Sequence, residues 1–423
     1  MANLEIKETP LSRWRDLTPV QRNTFIACFL GWALDAFDFF LLTVCLKSIA
    51  AEFQVGVKDV AEAIFWTLAM RPVGALIFGS IAERWGRKPT LMLNILAFSV
   101  FGFASALAPT LHSFLICRGL FGIAMGGEWG VGAALAFETL PAKGRGFFSG
   151  ILQEGYVTGN LLSAAVYGLL FSHLHGTGLL SPWRVLFMIG AFPALLALYL
   201  RAKVPESPVW SAARQQKLKI KKSFDFKGLV KFLPSFLFIT LFMMGMNSFS
   251  HGTQDLYPTF IEKDKGLSSG NAGIVLVIMN LGALFGGIVC GTISERVGRR
   301  KTIIIAALLA IPAIPMWAWS HGVVAMAIGA FIMQMMVQGA WGVIPAHLNE
   351  LSPAPVRAVF PGLAYQLGNL LSSRNGVFQA SLALHFGGSL GPILSGTVVV
   401  VALFVALITY LGKEAKGATF IAE

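Results

Sequence analysis

Apolar stretches of about 20 residues recur along nearly the whole chain, and each is long enough to span a lipid bilayer as an α-helix. The chain has 423 residues, of which 55% are hydrophobic and only 13% charged, whereas soluble domains carry about 25% charged residues. The twelve stretches run over residues 24–48, 60–82, 89–110, 113–138, 146–171, 183–201, 232–257, 269–293, 301–320, 322–347, 359–386 and 389–412. The sequence therefore predicts an all-α protein of the plasma (inner) membrane with twelve transmembrane helices.

Basic residues are distributed unevenly between the two sides of this topology, although the net charge of +12 alone would suggest a nucleic-acid partner. With the N-terminus inside, the inner segments hold 25 of the 33 Lys and Arg residues and the outer segments hold five. An excess of Lys and Arg marks cytoplasmic loops, so we expect both termini in the cytoplasm. The positive charge then serves topology and contact with anionic lipid headgroups, and we expect no nucleic-acid partner.

A ten-residue segment repeats at half the length of the chain. The sequence GSIAERWGRK at residues 79–88 returns as GTISERVGRR at residues 291–300, an offset of 212. Both copies join the second and third predicted helix of a six-helix half, so the halves are parallel repeats, as in many transporters. The predicted organisation is a cytoplasmic N-terminal segment over 1–23, six-helix bundles over 24–201 and 232–412, a cytoplasmic linker over 202–231 and a cytoplasmic tail over 413–423.

The repeated loop resembles the signature G-x-x-x-D/E-R-x-G-R-R/K of the major facilitator superfamily, a family of secondary transporters. Its acidic position is usually Asp and is Glu in both copies here. The segment from Arg118 to Glu128, R-G-x-x-G-x-x-x-G-G-E, is similar to a second facilitator pattern. In that family such loops hold cytoplasmic helix ends together through acid–base pairs and helix-end contacts. For Arg118 the alternative is a structural ion pair with Glu128 or with helix 1. The resemblance implies gating roles for Glu83, Arg84, Arg87, Arg118, Glu128, Glu295, Arg296 and Arg299.

Five polar side chains share one face of the seventh predicted helix. Asn247, Ser250, His251, Gln254 and Asp255, here named the helix 7 stripe, lie at i, i+3, i+4, i+7 and i+8 after a strongly apolar run. This is the spacing of neighbours on one helix face. In a bilayer such a face is costly unless it lines a cavity or pore, so the stripe is a candidate functional site. The alternative is that it caps the outer helix end, since a proline and four charged residues follow closely.

The same helix resembles the signature of fungal lactate permeases and their bacterial relatives, monocarboxylate/proton symporters that are grouped with sialate:H⁺ symporters. Seven specified positions of N-x-x-S-H-x-T-Q-D-x-x-x-T agree over residues 247–259 without a gap. The resemblance implies a substrate of the lactate and pyruvate class, carried with a proton. Because His titrates near neutral pH, His251 and Asp255, one turn apart, are candidates for a coupled proton-binding pair. Asn247 and Gln254 would orient the substrate, and His251 either contacts it or gates the site.

Three arginines lie inside predicted spans, and two of them are candidates for binding a substrate carboxylate. A guanidinium fork offers a carboxylate two parallel hydrogen bonds. Arg71, in the middle of helix 2, is the first choice, with a structural ion pair to Asp35 or Asp38 as the alternative. Arg374, in helix 11, is the second choice.

Other titratable and hydrogen-bonding side chains also lie at membrane depth. Asp35 and Asp38 in helix 1 are either proton carriers or ion-pair partners of the arginines, because two neighbouring carboxylates oppose each other's ionisation. Glu154 in helix 5 is a weaker candidate for a proton site. Further candidates for hydrogen bonds to the substrate, with bonds between helices as the alternative, are Tyr156, Gln366 and Asn369.

Motifs for enzyme chemistry are absent from the sequence. There is no nucleotide-binding P-loop, no zinc-protease motif and no hydrolase elbow, and the four cysteines lie in predicted helices without paired spacing. We therefore expect no enzymatic activity, no cofactor and no metal. The sequence predicts a monomeric secondary transporter that moves a short monocarboxylate with a proton by alternating access. The alternatives are a facilitator for a larger sialate-like or aromatic acid or a sugar, and a non-transporting membrane nutrient sensor, against which the short predicted tails argue.

Overall fold

The computed structural model of the protein describes residues 14–220, 231–418 and 420. These residues form helices and turns, and no β-strand occurs among them. Parts of three predicted segments lie outside the described residues: 1–13 of the N-terminal segment, 221–230 of the linker, and 419 and 421–423 of the tail.

The first half of the chain contains eight α-helices. They are α1 (Pro19–Phe53), α2 (Val57–Trp85), α3 (Arg87–Leu107), α4 (Leu111–Thr139), α5 (Arg145–Gln153), α6 (Gly155–Leu170), α7 (Pro182–Lys203) and α8 (Pro208–Ile220). The fifth predicted span is divided between α5 and α6, which meet at Glu154. Short 3₁₀ turns cover Phe171–His173 and Gly178–Leu180, and α8 lies in the predicted polar linker.

The second half repeats this pattern with α9 (Leu233–Gln254), α10 (Tyr257–Lys263), α11 (Ser269–Val297), α12 (Arg299–Ala310), α13 (Val323–Leu351), α14 (Phe360–Ser372), α15 (Asn375–His385) and α16 (Leu390–Leu411). A π-helical turn over Pro315–Trp319 extends the ninth span, and a 3₁₀ turn over Ala354–Val356 precedes α14. The seventh span is interrupted after Gln254 and the eleventh after Ser372. Within the described residues, nine helical segments are long and apolar enough to cross a membrane.

Local sequence determines where the helices begin. Thr18 accepts a hydrogen bond from the backbone N–H of Gln21, whose side chain accepts one in return, which is a capping box at the start of α1. Gly86 and Gly298 each end one helix and begin the next with φ of 110° and 106°. Only glycine adopts such angles readily, so the duplicated glycine of the repeat makes the same tight joint in both halves.

Glycines also set the closest helix contacts within each half. A Cβ on Gly74 of α2 would overlap the carbonyl oxygen of Ile123 on α4, and a Cβ on Gly286 of α11 would overlap that of Met335 on α13. Both members of the two pairs are 212 residues apart, so the internal repeat extends to individual backbone contacts. Small residues at such crossings allow close packing in membranes.

The two halves meet through a few helices only. α2 packs against α14, and α5 packs against α11 and α13, while the other main contacts stay within one half. At the ends of these helices that carry residues 79–88 and 291–300, here named the signature loops, Gly79 lies on Val359 and Gly146 lies on the Gly291 carbonyl. The halves are therefore in close contact at the signature-loop end.

Candidate functional site

A cavity of about 330 Å³ lies between the two halves of the molecule. Its wall comes from α1, α2, α5 and α6 of the first half and from α9, α10, α11, α13 and α14 of the second. The lining residues that can make hydrogen bonds are Arg71, Gln153, Tyr156, Asn160, Asn247, Ser250, His251, Gln254, Asp255, Asn280, Gln338, Trp341, Tyr365 and Asn369. All five residues of the helix 7 stripe are among them, so this face borders a cavity and does not simply cap a helix end.

His251 joins the stripe to the facing helix α14. Its Nδ1 lies 3.2 Å from Asp255 Oδ1, and its Nε2 lies 3.0 Å from Asn369 Oδ1. Both ring nitrogens therefore face acceptors, and the doubly protonated imidazolium satisfies both with N–H donors. The His251 side chain is 30% exposed and that of Asp255 43% exposed, so a proton in the cavity can reach the pair.

A chain of amide and hydroxyl groups continues from the stripe to α13. Gln338 Nε2 donates to Ser250 Oγ at 3.2 Å, and Ser250 Oγ donates to Gln254 Oε1 at 3.3 Å. Gln254 Nε2 then donates to Gln334 Oε1 at 2.7 Å. Asn247 Nδ2 is held by the Met243 carbonyl of its own helix. These bonds fix the orientation of the polar wall before any ligand binds.

Arg71 lines the opposite wall and is only 2% exposed. Its guanidinium carbon lies 4.8 Å from the centre of the Phe39 ring, and a terminal nitrogen lies 2.6 Å from Met125 Sδ. Neither Asp35 nor Asp38 makes a hydrogen bond to any described residue, so the structural ion pair considered for Arg71 is not formed. Neutral, polarisable groups hold this cation, which leaves its charge without a hydrogen-bonded carboxylate.

Aromatic rings frame the polar groups of the cavity. Tyr156 stacks on Trp32 with ring centres 5.8 Å apart, and Tyr365 packs against Trp129 with centres 4.8 Å apart. Trp341 meets the Tyr365 ring edge-on and donates its indole N–H to a main-chain carbonyl of α9. Tyr156 and Asn369 were predicted as site residues. Lining residues that the sequence did not single out are Asn160, Asn280, Gln338, Trp341 and Tyr365.

Several predicted site residues lie away from the cavity. Gln366 is 1% exposed and does not reach the cavity, because one residue along α14 turns its side chain by about 100° from Tyr365. Arg374 is exposed at the start of α15, where the eleventh span is interrupted. Glu154 is buried between α5 and α11. Asp35 and Asp38 are both fully buried within the first half.

Arg118 and Glu128 do not form the ion pair that the sequence suggested. Glu128 is bound by Arg201 at 2.5 and 3.3 Å, and both side chains are 1% exposed. Arg118 instead donates from Nε to Ser105 Oγ at 2.9 Å and lies over two phenylalanine rings. Its charge acts on Asp38 of α1 without a hydrogen bond between the two. The expected partner was wrong because Arg201, at the end of the sixth span, folds back into the protein.

Each signature loop is fixed by a buried arginine with two carboxylates. Arg87 lies 3.0 Å from Glu83 and contacts both carboxylate oxygens of Glu138 at 3.0 and 3.1 Å. Arg299 lies 3.0 Å from Glu295 and makes two 3.0 Å bonds to Glu350. We name these six residues the signature-loop gate. Glu138 and Glu350 were not predicted, although their offset of 212 residues was visible in the sequence.

The gate also links the two halves. Glu83 of the first half accepts the backbone N–H of Ala358 in the second at 2.7 Å. Glu295 of the second half accepts the backbone N–H groups of Gly144 and Gly146 in the first. The remaining predicted gating residues, Arg84 and Arg296, are exposed in the last turns of α2 and α11, where positive charge complements the helix dipole.

The linker and the tail close the same end of the molecule. Glu206 accepts the backbone N–H groups of Arg87 and Lys88, and Glu414 accepts that of Arg300. Phe420, only 5% exposed, lies between two arginines that are again 212 residues apart. The guanidinium carbons of Arg145 and Arg357 are 3.7 and 4.2 Å from its ring centre. A segment near the end of the chain therefore contacts both halves.

The model of the major facilitator superfamily matches residues 28–373 and 256–416. The chain belongs to the major facilitator superfamily. This membership confirms the predicted fold of twelve helices in two bundles, and it makes the protein a multi-pass membrane transporter and not an enzyme.

Relatives within the superfamily carry names that refer to organic acids. The chain is 28% identical over 398 residues to a "Carboxylic acid transporter protein homolog" of Saccharomyces cerevisiae, which covers 88% of this chain and 63% of the relative. It thus spans less than two thirds of that yeast protein. It is also 28% identical to the sialic acid transporter NanX of Escherichia coli, over 96% of both chains.

Among solved structures, the proton:xylose symporter XylE bound to 6-bromo-6-deoxy-D-glucose superposes with a TM-score of 0.75. The sequence identity is 20%, and the match covers 95% of this chain and 97% of XylE. This likeness establishes the fold. The printed names of the relatives refer to acids and a sugar, so the particular substrate has to be argued from the cavity.

Proposed function

We propose that this facilitator carries a short monocarboxylate of the lactate and pyruvate class together with one proton by alternating access. Arg71 binds the substrate carboxylate, while Asn247, Asn369 and Tyr156 orient the rest of the molecule. The His251–Asp255 pair binds the proton. The observation that carries the proposal is the placement of one buried arginine and one His–Asp pair on the wall of the same cavity.

The charges on the cavity wall favour a one-to-one ratio of substrate to proton. Arg71 and Asp255 are the lining residues with fixed opposite charges, and His251 is the lining group that titrates near neutral pH. With neutral His251 the empty site has no net charge. One bound monocarboxylate and one proton on His251 again give no net charge, whereas either alone leaves −1 or +1. Because an unbalanced charge is costly at membrane depth, the empty and doubly loaded carriers rearrange most readily.

The size of the cavity supports a small substrate. A volume of about 330 Å³ is at the low end of the range of about 300–1,000 Å³ for small-molecule sites. Lactate fits beside Arg71 and leaves room for the hydroxyl group to meet an amide of the stripe. The yeast relative's name refers to carboxylic acids, which agrees with this class of substrate.

The direction of the cavity follows from the charge distribution. The signature loops, the linker and the tail hold most of the basic residues outside the spans, so we place them in the cytoplasm together with both termini. The halves are closed at that end, and the cavity is bordered by Asp255 and Pro258 near the opposite ends of the helices. The conformation is then outward-facing, in a monomeric protein with bundles over 24–201 and 232–412.

Uptake by the purified protein in proteoliposomes tests this proposal. We expect radiolabelled L-lactate to accumulate above equilibrium with an inward proton gradient and to equilibrate only without one. Unlabelled pyruvate in excess should abolish the signal, whereas xylose should not. Liposomes without protein provide the control for passive entry of the undissociated acid. No gradient-stimulated uptake of lactate or pyruvate would contradict the proposal.

A larger acid is the second candidate, because NanX matches 96% of this chain. A sialic acid also has one carboxylate for Arg71, and its many hydroxyl groups would need the amides of Asn160, Asn280 and Gln338. The same uptake assay with radiolabelled N-acetylneuraminic acid separates the two. Proton-stimulated uptake of sialic acid that lactate cannot inhibit would favour this second substrate.

A further inference from the structure

Glu154 is a buried carboxyl group that the proposed substrate cycle does not use. Its side chain is 3% exposed, and neither carboxylate oxygen has a hydrogen-bond partner among the described residues. It lies where α5 ends and α6 begins, next to Gln153, which lines the cavity. Glu154 itself is not part of the cavity wall.

The carboxyl group is enclosed by the contact between the two halves. One oxygen occupies the space that a Cβ on Gly287 of α11 would need. One turn earlier, Gly150 lies directly on the Gly287 carbonyl, and Gly146 lies on that of Gly291. We name this glycine-lined contact between α5 and α11 the α5–α11 seam. The seam closes over Glu154 only because both helices carry glycine where they cross.

No countercharge is available to Glu154 inside the closed seam. The ionisable groups on the elements packed against α5 and α6 make no hydrogen bond to it; they are Asp35 and Asp38 of α1, Cys290, Glu295 and Arg296 of α11, and His347 and Glu350 of α13. Of these, Glu295 and Glu350 are bound to Arg299. An isolated carboxylate in such surroundings is far more costly than the neutral acid. Closure therefore requires the protonated form.

We infer that Glu154 is a proton-dependent latch of the α5–α11 seam, which closes over the neutral carboxyl group and opens with release of its proton to water. The proton balance is one proton taken up on closing and one released on opening, both at the signature-loop end. The inference rests on the alternating-access part of the proposed function and not on the identity of the substrate. It makes alkaline conditions at that end favour the open seam.

The sign and size of the effect follow from linkage. When one proton is bound only in the closed state, the ratio of closed to open molecules falls by about tenfold for each unit of pH increase. This holds where the hydrated carboxyl group of the open state is ionised, well above the ordinary glutamate pKa of about 4.3. A glutamine at this position has the shape of the neutral acid and removes the dependence.

Double electron–electron resonance tests the latch in the full-length protein. Spin labels are placed at the exposed positions Ala142, before α5, and Lys301, in α12, after the four native cysteines are replaced. The fractions of short and long label distances give the closed-to-open ratio between about pH 5.5 and 8. We expect the logarithm of this ratio to fall with pH more steeply in the wild type than in Glu154→Gln, by one unit per pH unit.

Two further variants keep the test decisive. Glu154→Met, also neutral, should behave like Glu154→Gln, and Glu154→Asp should keep the pH dependence. Glu262→Gln removes an exposed carboxylate of α10 and serves as a control with the wild-type slope. Equal slopes in wild type and Glu154→Gln, with both distances populated, overturn the latch. A single distance in every variant at every pH overturns alternating access itself, and the latch with it.

Discussion

Replacement of Arg71 by lysine tests the assignment of the substrate carboxylate. The guanidinium offers two parallel donors to a carboxylate, whereas an ammonium group is a single point charge. Its present contacts, the Phe39 ring at 4.8 Å and Met125 Sδ at 2.6 Å, are to uncharged groups. The substitution therefore removes one charge-assisted hydrogen bond and keeps the charge balance of the site.

The expected size follows from the strength of that bond. A hydrogen bond to a charged group contributes about 1.5–3 kcal/mol, which corresponds to a rise of about 10- to 150-fold in the KM for lactate. The proton requirement should be unchanged, because the His251–Asp255 pair is intact. KM is measured from initial uptake rates in proteoliposomes at a fixed proton gradient.

A matched substitution separates binding from folding. Arg184 is likewise a buried arginine of the first half, 5% exposed, but it is bound to Glu52 outside the cavity. Arg184→Lys should leave the KM of the folded protein within about threefold of wild type, even if its thermal stability falls. A KM for Arg71→Lys within twofold of wild type would refute the assignment of Arg71 to the substrate.

Three further outcomes are expected. His251→Gln should abolish accumulation driven by the proton gradient, because the substrate-loaded site then has a net charge of −1; unchanged stimulation by the gradient would exclude His251 from coupling. Glu138→Gln and Glu350→Gln should each lower the stability of the purified protein by about 3 kcal/mol or more, since a buried arginine loses its charged partner; thermal unfolding midpoints equal to wild type would contradict this. Phe420→Ala should increase the open fraction in the spin-label measurement, because it removes a contact shared by both halves; an unchanged fraction would limit the tail to a passive role.

The sequence predicted those features that the bilayer itself dictates. Span length is set by membrane thickness, and a polar face must be sheltered from lipid, so the helix 7 stripe was found correctly at the cavity wall. The repeat likewise located Glu83, Arg87, Glu295 and Arg299. Glu138 and Glu350 were missed only because the search for the 212-residue offset stopped at the loops.

Other placements depend on tertiary structure that periodicity does not contain. Gln366 and Asn369 both belong to a polar face of helix 11, but the rotation of α14 brings only Asn369 and Tyr365 to the cavity. Arg374 lies beyond an interruption of that helix. Arg201 was counted with the loop charges, yet it is buried with Glu128. Such choices between partners require the three-dimensional positions of several helices at once.

The central claim is that one substrate carboxylate and one proton cross together without net charge. Proteoliposomes with an internal pH-sensitive dye, equal pH on both sides and an inward lactate gradient test it directly. The account predicts acidification of the lumen by one proton for each radiolabelled lactate taken up, at a rate that does not change when a potassium diffusion potential is applied. Lactate uptake by the protein without acidification, or uptake that varies with the membrane potential, would contradict it.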